Sequence, residues 1–252
     1  MIEPTDRGLT LGDGLFETVL AEDGAIKRLP AHLDRLAQGC RVLGLPAPDS
    51  GEAERRMREA LEGIAGRAAV RLTLTAGPGG RGLDRPEALQ PVLFATAAPS
   101  VKPDKPARLV TSKVRRNEGS PTSRLKTLAY LDNVLARAEA RAKGADEALM
   151  LNARGEIACA AAANLFWVSG GRLYTPHLDC GVLAGITRAR VIAAAAAQGE
   201  PVRAVRAGPE ILRQADGIFL SNSLIGLRPV DRLDGRKVPL WPDLRELDGA
   251  LA

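Results

Sequence analysis

The chain has 252 residues, of which 45% are hydrophobic and 3% aromatic, and its 35 basic and 30 acidic residues give a net charge of +5. This length suffices for one large domain or two small ones with a hydrophobic core. No apolar run approaches the roughly eighteen residues of a membrane span, and the N-terminus resembles no secretory signal, so a cytoplasmic enzyme is the default expectation. Scattered arginines and few aromatic residues argue against nucleic-acid binding and fit anionic small substrates or a phosphorylated cofactor.

The first hundred residues predict short strands that alternate with helices. Four strands are predicted from apolar and β-branched runs, at 15–20, 25–29, 68–76 and 92–97. Asp23 and Gly24 form a hairpin turn between the first two strands. One helix begins near Pro30, because the apolar residues after it recur at helical spacing, and a second helix covers 51–64.

Residues 99–122 contain four prolines and many charges, which predicts a crossing between two domains with a short strand at 107–111 inside it. The expected division is a small N-terminal domain over 1–108, an interdomain segment over 109–122 and a larger C-terminal domain over 123–252.

The C-terminal part predicts a helix, three strands, a second helix and a final short strand. The first helix runs over 123–143, where leucines follow the helical period, and Gly144 ends it. Lys126 is then expected at the start of a helix, where the macrodipole disfavours a cation and favours a neutralised amine. The remaining predicted elements are strands at 147–151, 156–159, 165–168 and 218–220 and a helix at 187–198.

The three cysteines, Cys40, Cys159 and Cys180, show no metal-binding pattern. None belongs to a CxxC motif, and no histidine is close enough in sequence to complete a zinc site. The sequence therefore predicts reduced thiols and no bound metal.

Residues 77–82 match the GxGxxG pattern of dinucleotide-binding proteins. That pattern requires a helix whose N-terminus meets the pyrophosphate, whereas here the glycines lead into another strand. The segment is therefore predicted to be a flexible hairpin loop. Arg81 on this loop is a weak candidate for contact with a substrate carboxylate.

Six segments share the residues and the order of one known family. They are Gly-Asp-Gly-Leu-Phe-Glu-Thr at 12–18, His-Leu-Asp-Arg-Leu around Arg35, Ser-Arg-Leu-Lys-Thr-Leu around Lys126, Ala-Asn-Leu-Phe-Trp around Asn164, Gly-Ile-Thr-Arg at 185–188 and Ser-Asn-Ser-Leu at 221–224. With these motifs the chain resembles the fold-type IV pyridoxal phosphate enzymes, the class IV aminotransferase family. The resemblance implies an α+β fold with a small N-terminal α/β domain and a larger C-terminal domain that has a barrel-like sheet, usually in a homodimer.

The resemblance also implies roles for individual residues. Lys126 would bind pyridoxal 5'-phosphate covalently and act as the catalytic base, and Asn164 would lie on a strand that faces the cofactor. The residues implied at the cofactor phosphate are Arg35, Ile186, Thr187, Asn222 and Ser223. The weak candidates for substrate contact, besides Arg81, are Phe16, Arg115 and Arg116.

Within the family, the sequence is most similar to the aminodeoxychorismate lyases. Leu131 stands five residues after Lys126, where the branched-chain aminotransferases carry a tyrosine. The expected reaction converts 4-amino-4-deoxychorismate to 4-aminobenzoate and pyruvate for folate biosynthesis. A D-amino acid transaminase or another class IV aminotransferase is the first alternative, and a catalytically impaired homologue that acts as a binding protein is the second.

Cys159 is the main departure from the family pattern, because the family has a glutamate five residues before the asparagine that corresponds to Asn164. A glutamate keeps the pyridine nitrogen of the cofactor protonated, whereas a thiol holds that proton much less firmly. Glu156 is a poor substitute, because strand alternation would place it on the opposite face. The departure favours elimination over transamination, and it equally fits a slow or inactive member of the family.

Overall fold

A computed structural model describes residues 2–80 and 82–251. The chain divides into two compact units. The first unit contains the residues up to Val101 together with Leu125–Ala129, and the second contains Lys102–Arg124 and the residues from Tyr130 onward. This division differs from the predicted one, because the short segment that carries Lys126 belongs to the first unit.

The first unit is a four-stranded sheet with two helices packed on one face. Its elements are α1 (Arg7–Leu11), β1 (Gly14–Glu22), β2 (Ala25–Ile26), α2 (Leu29–Leu43), α3 (Ser50–Ala60), β3 (Arg67–Thr75) and β4 (Val92–Pro99). The strand order is β2-β1-β3-β4, and neighbouring strands are antiparallel. Strand alternation turns Leu15, Val19 and Leu72 toward the helices, so these side chains form the core.

The hairpin predicted at Asp23 and Gly24 is confirmed, since both residues have positive φ angles, 48° and 77°. The strand predicted after it is much shorter than expected. It contains only Ala25–Ile26, because Arg28 adopts a left-handed conformation and α2 begins at Leu29.

The helix predicted over 123–143 is wrong at its start. A 3-10 turn covers Pro121–Arg124, and α4 begins only at Leu131 and ends at Ala142. Lys126 therefore lies outside any helix, and the macrodipole argument does not apply to it.

The segment around Lys126 is extended and pairs with β1. The N–H of Phe16 donates to the carbonyl oxygen of Lys126 at 2.9 Å, and the N–H of Leu128 donates to the oxygen of Gly14 at 3.0 Å. Leu125 packs into the core of the first unit. The helical spacing of the leucines is misleading here, because hydrogen bonds to a strand distant in sequence stabilise the extended form.

The second unit is built on a nine-stranded mixed sheet. Its helices and strands are, in chain order, β5 (Ala107–Arg116), α4 (Leu131–Ala142), β6 (Glu147–Asn152), β7 (Ile157–Ala160), β8 (Asn164–Ser169), β9 (Arg172–Pro176), α5 (Ile186–Ala197), β10 (Arg203–Val205), β11 (Gly217–Asn222), β12 (Gly226–Leu233), β13 (Arg236–Lys237) and α6 (Leu244–Gly249). The strand order is β10-β9-β8-β11-β12-β5-β6-β7, and β13 pairs with β12. The predicted α+β class is confirmed.

Strand β5 lies inside this sheet, parallel to both β12 and β6. The predicted interdomain segment over 109–122 therefore begins with most of the ten-residue strand β5, and only the part after Arg116 is a connection. The prolines that suggested a linker flank β5 and do not interrupt it. Strand β12 is not predicted from the sequence, because Pro229 stands within it and proline is uncommon inside strands.

Helices α5 and α6 cover one face of this sheet. Phe166 and Phe219 stack with their ring centroids 5.0 Å apart, and Val191 of α5 packs in the same cluster. This packing holds the first turn of α5 at the start of β8, where Asn164 begins the strand.

No helix in residues 2–80 and 82–251 is long and apolar enough to cross a membrane. The same residues contain no group of three or more histidine, cysteine, aspartate or glutamate side chains that could hold a metal ion. Cys40, Cys159 and Cys180 are all buried free thiols.

Candidate active site

Lys126 has the environment of a reactive amine. Its Nζ lies 4.1 Å from the centroid of the Phe16 ring. Burial lowers the pKa of Lys126 to about 8, since a dry environment disfavours the ammonium form; the charge of Glu17 opposes this shift, and the charges of Arg35 and Arg71 add to it. About a quarter of such an amine is neutral at pH 7.5, against roughly one part in a thousand for an ordinary lysine. The neutral form is the one that attacks a carbonyl or removes a proton.

Phe16 stands at the centre of this group. It lies on β1 opposite Thr73 of β3, and Arg71 of β3 places its Cζ 3.7 Å from the ring centroid. The ring therefore contacts two cationic side chains, Arg71 and Lys126. Both contacts belong to the sheet face that is turned away from the helical core.

Arg35 is held by a buried carboxylate. Glu17 on β1 accepts hydrogen bonds from Arg35 Nε at 2.7 Å and from Arg35 Nη2 at 2.6 Å, and its Oε2 lies 2.7 Å from His32 Nδ1. Burial by itself raises the pKa of Glu17, but the hydrogen bonds from His32 and Arg35 outweigh it and hold the pKa below its usual value. The sequence motifs indicate a role for Arg35, but they do not indicate one for Glu17 or His32. The available signal was the three-residue spacing of His32 and Arg35, which puts both on one face of α2.

Two glycines allow the Lys126 segment to approach β1. Gly12 has a φ of 69°, and a Cβ there would lie 3.2 Å from Ala129 N. A Cβ on Gly14 would lie 2.3 Å from the carbonyl oxygen of Leu74. The Gly-Asp-Gly motif is thus required by close backbone contacts.

Asp13, between these glycines, anchors the loop that follows β3. It accepts hydrogen bonds from Arg7 Nε at 2.9 Å and from Arg85 Nε at 2.9 Å, while Arg7 also donates to the carbonyl oxygens of Leu83 and Asp84. Burial raises the pKa of Asp13, yet its bonds to Arg85 and Arg7 outweigh burial and lower it. The loop is therefore tied to the start of β1.

The glycine-rich segment 77–82 belongs to this loop and not to a nucleotide site. Among residues 77–80 and 82–91 there is no helix whose N-terminus could meet a pyrophosphate. Arg81 lies outside the described residues, so its contact with a substrate carboxylate stays a prediction.

In the second unit, the first turn of α5 is built against Asn164. The Asn164 side chain donates to the carbonyl oxygen of Leu183 at 2.9 Å, and a Cβ on Gly185 would lie 2.0 Å from Asn164 Oδ1. Gly185 precedes Ile186 at the helix start, and no side chain caps this end of α5. Thr187 is buried in the first turn. Uncapped N–H groups and a hydroxyl at a helix start suit an anion.

Asn222 and Ser223 lie in the turn between β11 and β12. Asn222 Oδ1 accepts from the N–H groups of Leu224 and Ile225 at 2.9 and 2.8 Å, so this side chain shapes the turn. Its amide donates to the carbonyl oxygen of Ala162 at 2.9 Å. Asn222 thus shapes the turn, and Ser223 is partly buried in it. A contact of either residue with the cofactor stays a prediction.

Ser221 was not singled out from the sequence, although it is a stronger candidate than its neighbours. It pairs in register with Asn164 across β11 and β8. Its Oγ is buried and has no hydrogen-bond partner among the described residues. The Ser221 hydroxyl is therefore a buried polar group beside Asn164 that the described part of the chain leaves unsatisfied.

Cys159 lies on β7 opposite Met150, and only 7% of its surface is exposed. Burial raises the pKa of its thiol; the charge of Arg116 opposes the rise and the charge of Glu147 adds to it. The thiol is therefore neutral near pH 7. Its neighbours in the core are Ala158, Ala161, Cys180 and Val182.

Glu156 does not take the place of the missing carboxylate. It stands just before β7, where its Oε2 accepts a hydrogen bond from Asn152 Nδ2 at 2.7 Å. The same oxygen lies 3.6 Å from Cys180 Sγ. These contacts keep the carboxylate in the turn between β6 and β7.

Arg115 and Arg116 differ sharply. Arg115 is exposed at the end of β5. The Arg116 guanidinium donates to Asn133 Oδ1 at 3.1 Å and to the carbonyl oxygens of Gly181 and Ser123. Arg116 therefore links β5 to α4, to the 3-10 turn at Ser123 and to the loop at Gly181. A role in substrate binding remains a prediction for both residues.

The sequence matches the family described as amino-transferase class IV over residues 14–233. It is 33% identical over 240 residues to a putative branched-chain-amino-acid aminotransferase of Methanocaldococcus jannaschii, a match that covers 92% of this chain and 83% of that protein. It is 30% identical over 243 residues to an aminodeoxychorismate lyase of Bacillus subtilis, covering 93% of this chain and 82% of that protein.

The fold is also similar to a solved structure. A putative 4-amino-4-deoxychorismate lyase from Legionella pneumophila superposes with a TM-score of 0.92 at 29% identity, and the match covers 100% of this chain and 94% of that one. The relatives thus include both aminotransferases and lyases.

Proposed function

Since the chain belongs to the amino-transferase class IV family, we propose that it is a lyase that converts 4-amino-4-deoxychorismate to 4-aminobenzoate and pyruvate, a step of folate biosynthesis. The enzymes of this family use pyridoxal phosphate. The resemblance to fold-type IV enzymes that the motifs indicate is confirmed. The lyase reaction, a cytoplasmic location and the residue roles below are part of the proposal.

The residues of each unit fit pyridoxal phosphate. The first unit offers the low-pKa amine of Lys126 and the guanidinium of Arg35. The second unit offers the uncapped start of α5 and the orphan hydroxyl of Ser221. An amine that is partly neutral suits an aldehyde, and the cationic, N–H and hydroxyl donors suit a phosphate.

Bound pyridoxal phosphate would supply an aldehyde that bonds amines covalently and a ring that accepts electrons from a broken bond. Lys126 Nζ would hold the cofactor, and it would be released when the substrate amine replaces it. The released Nζ would then accept the proton from the ring carbon that bears the substrate amine. The carbon–oxygen bond that joins the enolpyruvyl group to the ring would then break, the group would take up a proton and leave as pyruvate, and the formation of an aromatic ring would make that step downhill.

Phosphate binding would fix the geometry for this proton transfer. Arg35 is already oriented by Glu17, so little freedom is lost when it binds an anion. Ile186 and Thr187 would donate from the first turn of α5, and Ser223 would donate from the turn after β11. We propose that Asn222 shapes that turn and lies beside the phosphate, and we add Ser221 to the cofactor residues.

The observation that carries the choice of a lyase is the neutral, buried thiol of Cys159. At the family's glutamate position it leaves the ring nitrogen without an anionic partner, which weakens the ring as an electron sink. Transamination depends on a strong sink, whereas an elimination that ends in an aromatic product is less demanding. A carboxylate-free position therefore favours the lyase.

A class IV aminotransferase is the second candidate, favoured by the 33% identity to the relative named as a branched-chain aminotransferase. A D-amino acid transaminase belongs to the same alternative. Cys159 at the family's glutamate position is also compatible with a protein that binds ligands without catalysis. This third candidate is less favoured, because the environment of Lys126 is that of a reactive amine.

We further propose a homodimer that uses α4. Leu131, Val134 and Leu135 form an apolar stripe at helical spacing, and they are 67%, 58% and 50% exposed. Exposed large apolar side chains in one patch mark an interaction surface, and a second copy of the chain is the partner that fits the family.

Two paired assays test the lyase proposal. Purified protein is supplied with 4-amino-4-deoxychorismate, and pyruvate is followed; in parallel it is supplied with D-alanine or a branched-chain amino acid and 2-oxoglutarate. The proposal expects rapid pyruvate release in the first assay and slow transfer in the second. Robust activity in the transfer assay alone would overturn the choice of a lyase.

Absorbance separates the enzyme from a binding protein. The enzyme should be yellow, lose the coloured band on borohydride reduction, and fail to form the band in the Lys126→Ala variant. A colourless protein that cannot be loaded with pyridoxal phosphate would contradict any catalytic role.

A further inference from the structure

The side chains of Arg71 and Lys126 both lie over the aromatic ring of Phe16. We propose that Arg71 is a positioning residue that keeps Lys126 reactive, because a permanent cation on the Phe16 ring favours the neutral form of the neighbouring amine. The inference rests on the proposed function, in which Lys126 is the reactive amine, and it assigns a task to a residue that no motif singled out.

The geometry restricts how far apart the two cations lie. Arg71 Cζ is 3.7 Å from the centroid of the Phe16 ring, and Lys126 Nζ is 4.1 Å from the same centroid. Their separation therefore cannot exceed the sum of the two distances, 7.8 Å. All three residues are fixed by one sheet: Phe16 lies on β1, Arg71 lies on β3 opposite Thr18, and the Lys126 segment pairs with β1.

Only one of the two cations can give up its charge. A guanidinium stays protonated in proteins, whereas an amine can lose its proton near neutral pH. The face of an aromatic ring attracts a cation, so Phe16 alone would stabilise the ammonium form of Lys126. With a guanidinium already over the ring and within this distance, the repulsion between like charges makes the ammonium less favourable.

Two other charges near Lys126 act in opposite directions on its pKa. Glu17 favours the ammonium form, and Arg35 disfavours it. Both oxygens of Glu17 accept hydrogen bonds from Arg35, and His32 lies against one of them. The partners of this carboxylate are therefore side chains of α2. Arg71 approaches from β3, on the face that carries Phe16, and its charge adds to the effect of burial.

The test measures the titration of Lys126 itself. The full-length protein, freed of cofactor, is labelled with a trace of isotopic acetic anhydride at a series of pH values, and the labelled Lys126 peptide is quantified by mass spectrometry. We expect the Arg71→Gln substitution to raise the pKa of Lys126 by about half a unit to one and a half units at low salt, with less change at high salt. Arg71→Lys retains the charge and should leave the pKa near the wild-type value.

Arg67 provides the matched control. It lies on β3 four residues before Arg71, and its guanidinium Nε is 3.9 Å from Glu22. Arg67→Gln removes the same charge from the same strand and should leave the titration of Lys126 unchanged. Because Arg71 is exposed, its replacement leaves the core packing intact.

Two results would overturn the inference: an unchanged Lys126 titration in Arg71→Gln, or an equal rise in Arg67→Gln. Failure of the proposed function is recognised separately. If the wild-type chain binds no pyridoxal phosphate while Arg71→Gln still shifts the titration, the electrostatic inference stands and the catalytic proposal falls. If the cofactor binds and the titration does not shift, the reverse holds.

Discussion

The environments of Lys126 and of Cys159 differ in polarity: Lys126 has several charged neighbours, whereas Cys159 lies in a mainly apolar cluster. Lys126 is buried near three charged side chains: burial lowers the pKa of its amine, Glu17 opposes this shift, and Arg35 and Arg71 add to it. Cys159 lies among alanines and Met150, and burial keeps its thiol neutral, while the nearby charges of Arg116 and Glu147 act on its pKa in opposite directions. In the proposed enzyme, the chain keeps the charges that would hold a phosphate and activate an amine, and Cys159 replaces the carboxylate that would strengthen the ring of the cofactor. We expect this combination of residues to favour elimination over transamination.

Removal of the Lys126 amine is expected to have the largest effect. In Lys126→Ala the proposed base and the covalent attachment are both absent, so pyruvate release should fall by about 10²- to 10⁴-fold or more. Lys27→Ala is the matched control, because Lys27 is a half-exposed lysine of the same unit that pairs with Glu22. A Lys126→Ala variant with near wild-type activity would contradict the catalytic role proposed for Lys126.

Loss of the Glu17 charge should destabilise the first unit. Glu17→Gln leaves Arg35 and His32 without their buried partner, and removal of one member of a buried pair costs about 3–5 kcal/mol in the free energy of unfolding. Urea unfolding at pH 7 measures the loss. Glu22→Gln, on the same strand but half-exposed, should change the unfolding free energy by only about 0.5 kcal/mol.

The same carboxylate gives a pH dependence of known sign. Because the pKa of Glu17 is lower in the folded chain than its usual value of 4.5, its contribution to stability is present above pH 4.5 and is lost as the pH falls through the lowered pKa. Wild-type protein should therefore lose more stability below pH 4.5 than Glu17→Gln does. Equal acid sensitivity of the two would show that Glu17 is not ionised in the fold.

The apolar stripe on α4 should control assembly. The double variant Leu131→Asp, Leu135→Asp places charges on the proposed contact, and association should weaken by about tenfold to a hundredfold. Sedimentation over a concentration series measures this change. Leu240→Asp is the control, since Leu240 is 54% exposed outside α4. If neither variant alters the sedimentation of the wild-type assembly, another surface holds the copies together.

Predictions from the sequence are confirmed mainly where the structure depends on contacts between residues that are close in the chain. The Asp23-Gly24 turn and the start of α5 after Gly185 follow from residues adjacent in the chain, and both are found. The helix over 123–128 fails because Lys126 pairs with β1, which is far away in sequence. Leucine spacing carries no information about such a partner.

The candidate site shows the same limit. Lys126 and Arg35 are identified by motif, but Glu17 and His32 gain their importance only when β1 and α2 bring them within 2.7 Å. Ser221 was passed over for Asn222, since the sequence does not reveal which side chain of the turn shapes the backbone and which is left as an orphan. Cys159 is the exception, because a departure from a pattern is visible in the sequence itself.

The central claim is that the missing charge at Cys159 selects elimination. The direct measurement is the ratio of pyruvate release from 4-amino-4-deoxychorismate to amino transfer in three proteins: wild type, Cys159→Ala and Cys159→Glu. Cys159→Ala removes the thiol without adding charge and should keep the wild-type ratio. Cys159→Glu should move the ratio by about tenfold toward transfer, the change in rate that corresponds to about 1.4 kcal/mol. An unchanged ratio in Cys159→Glu, or the same shift in Cys159→Ala, would contradict the claim.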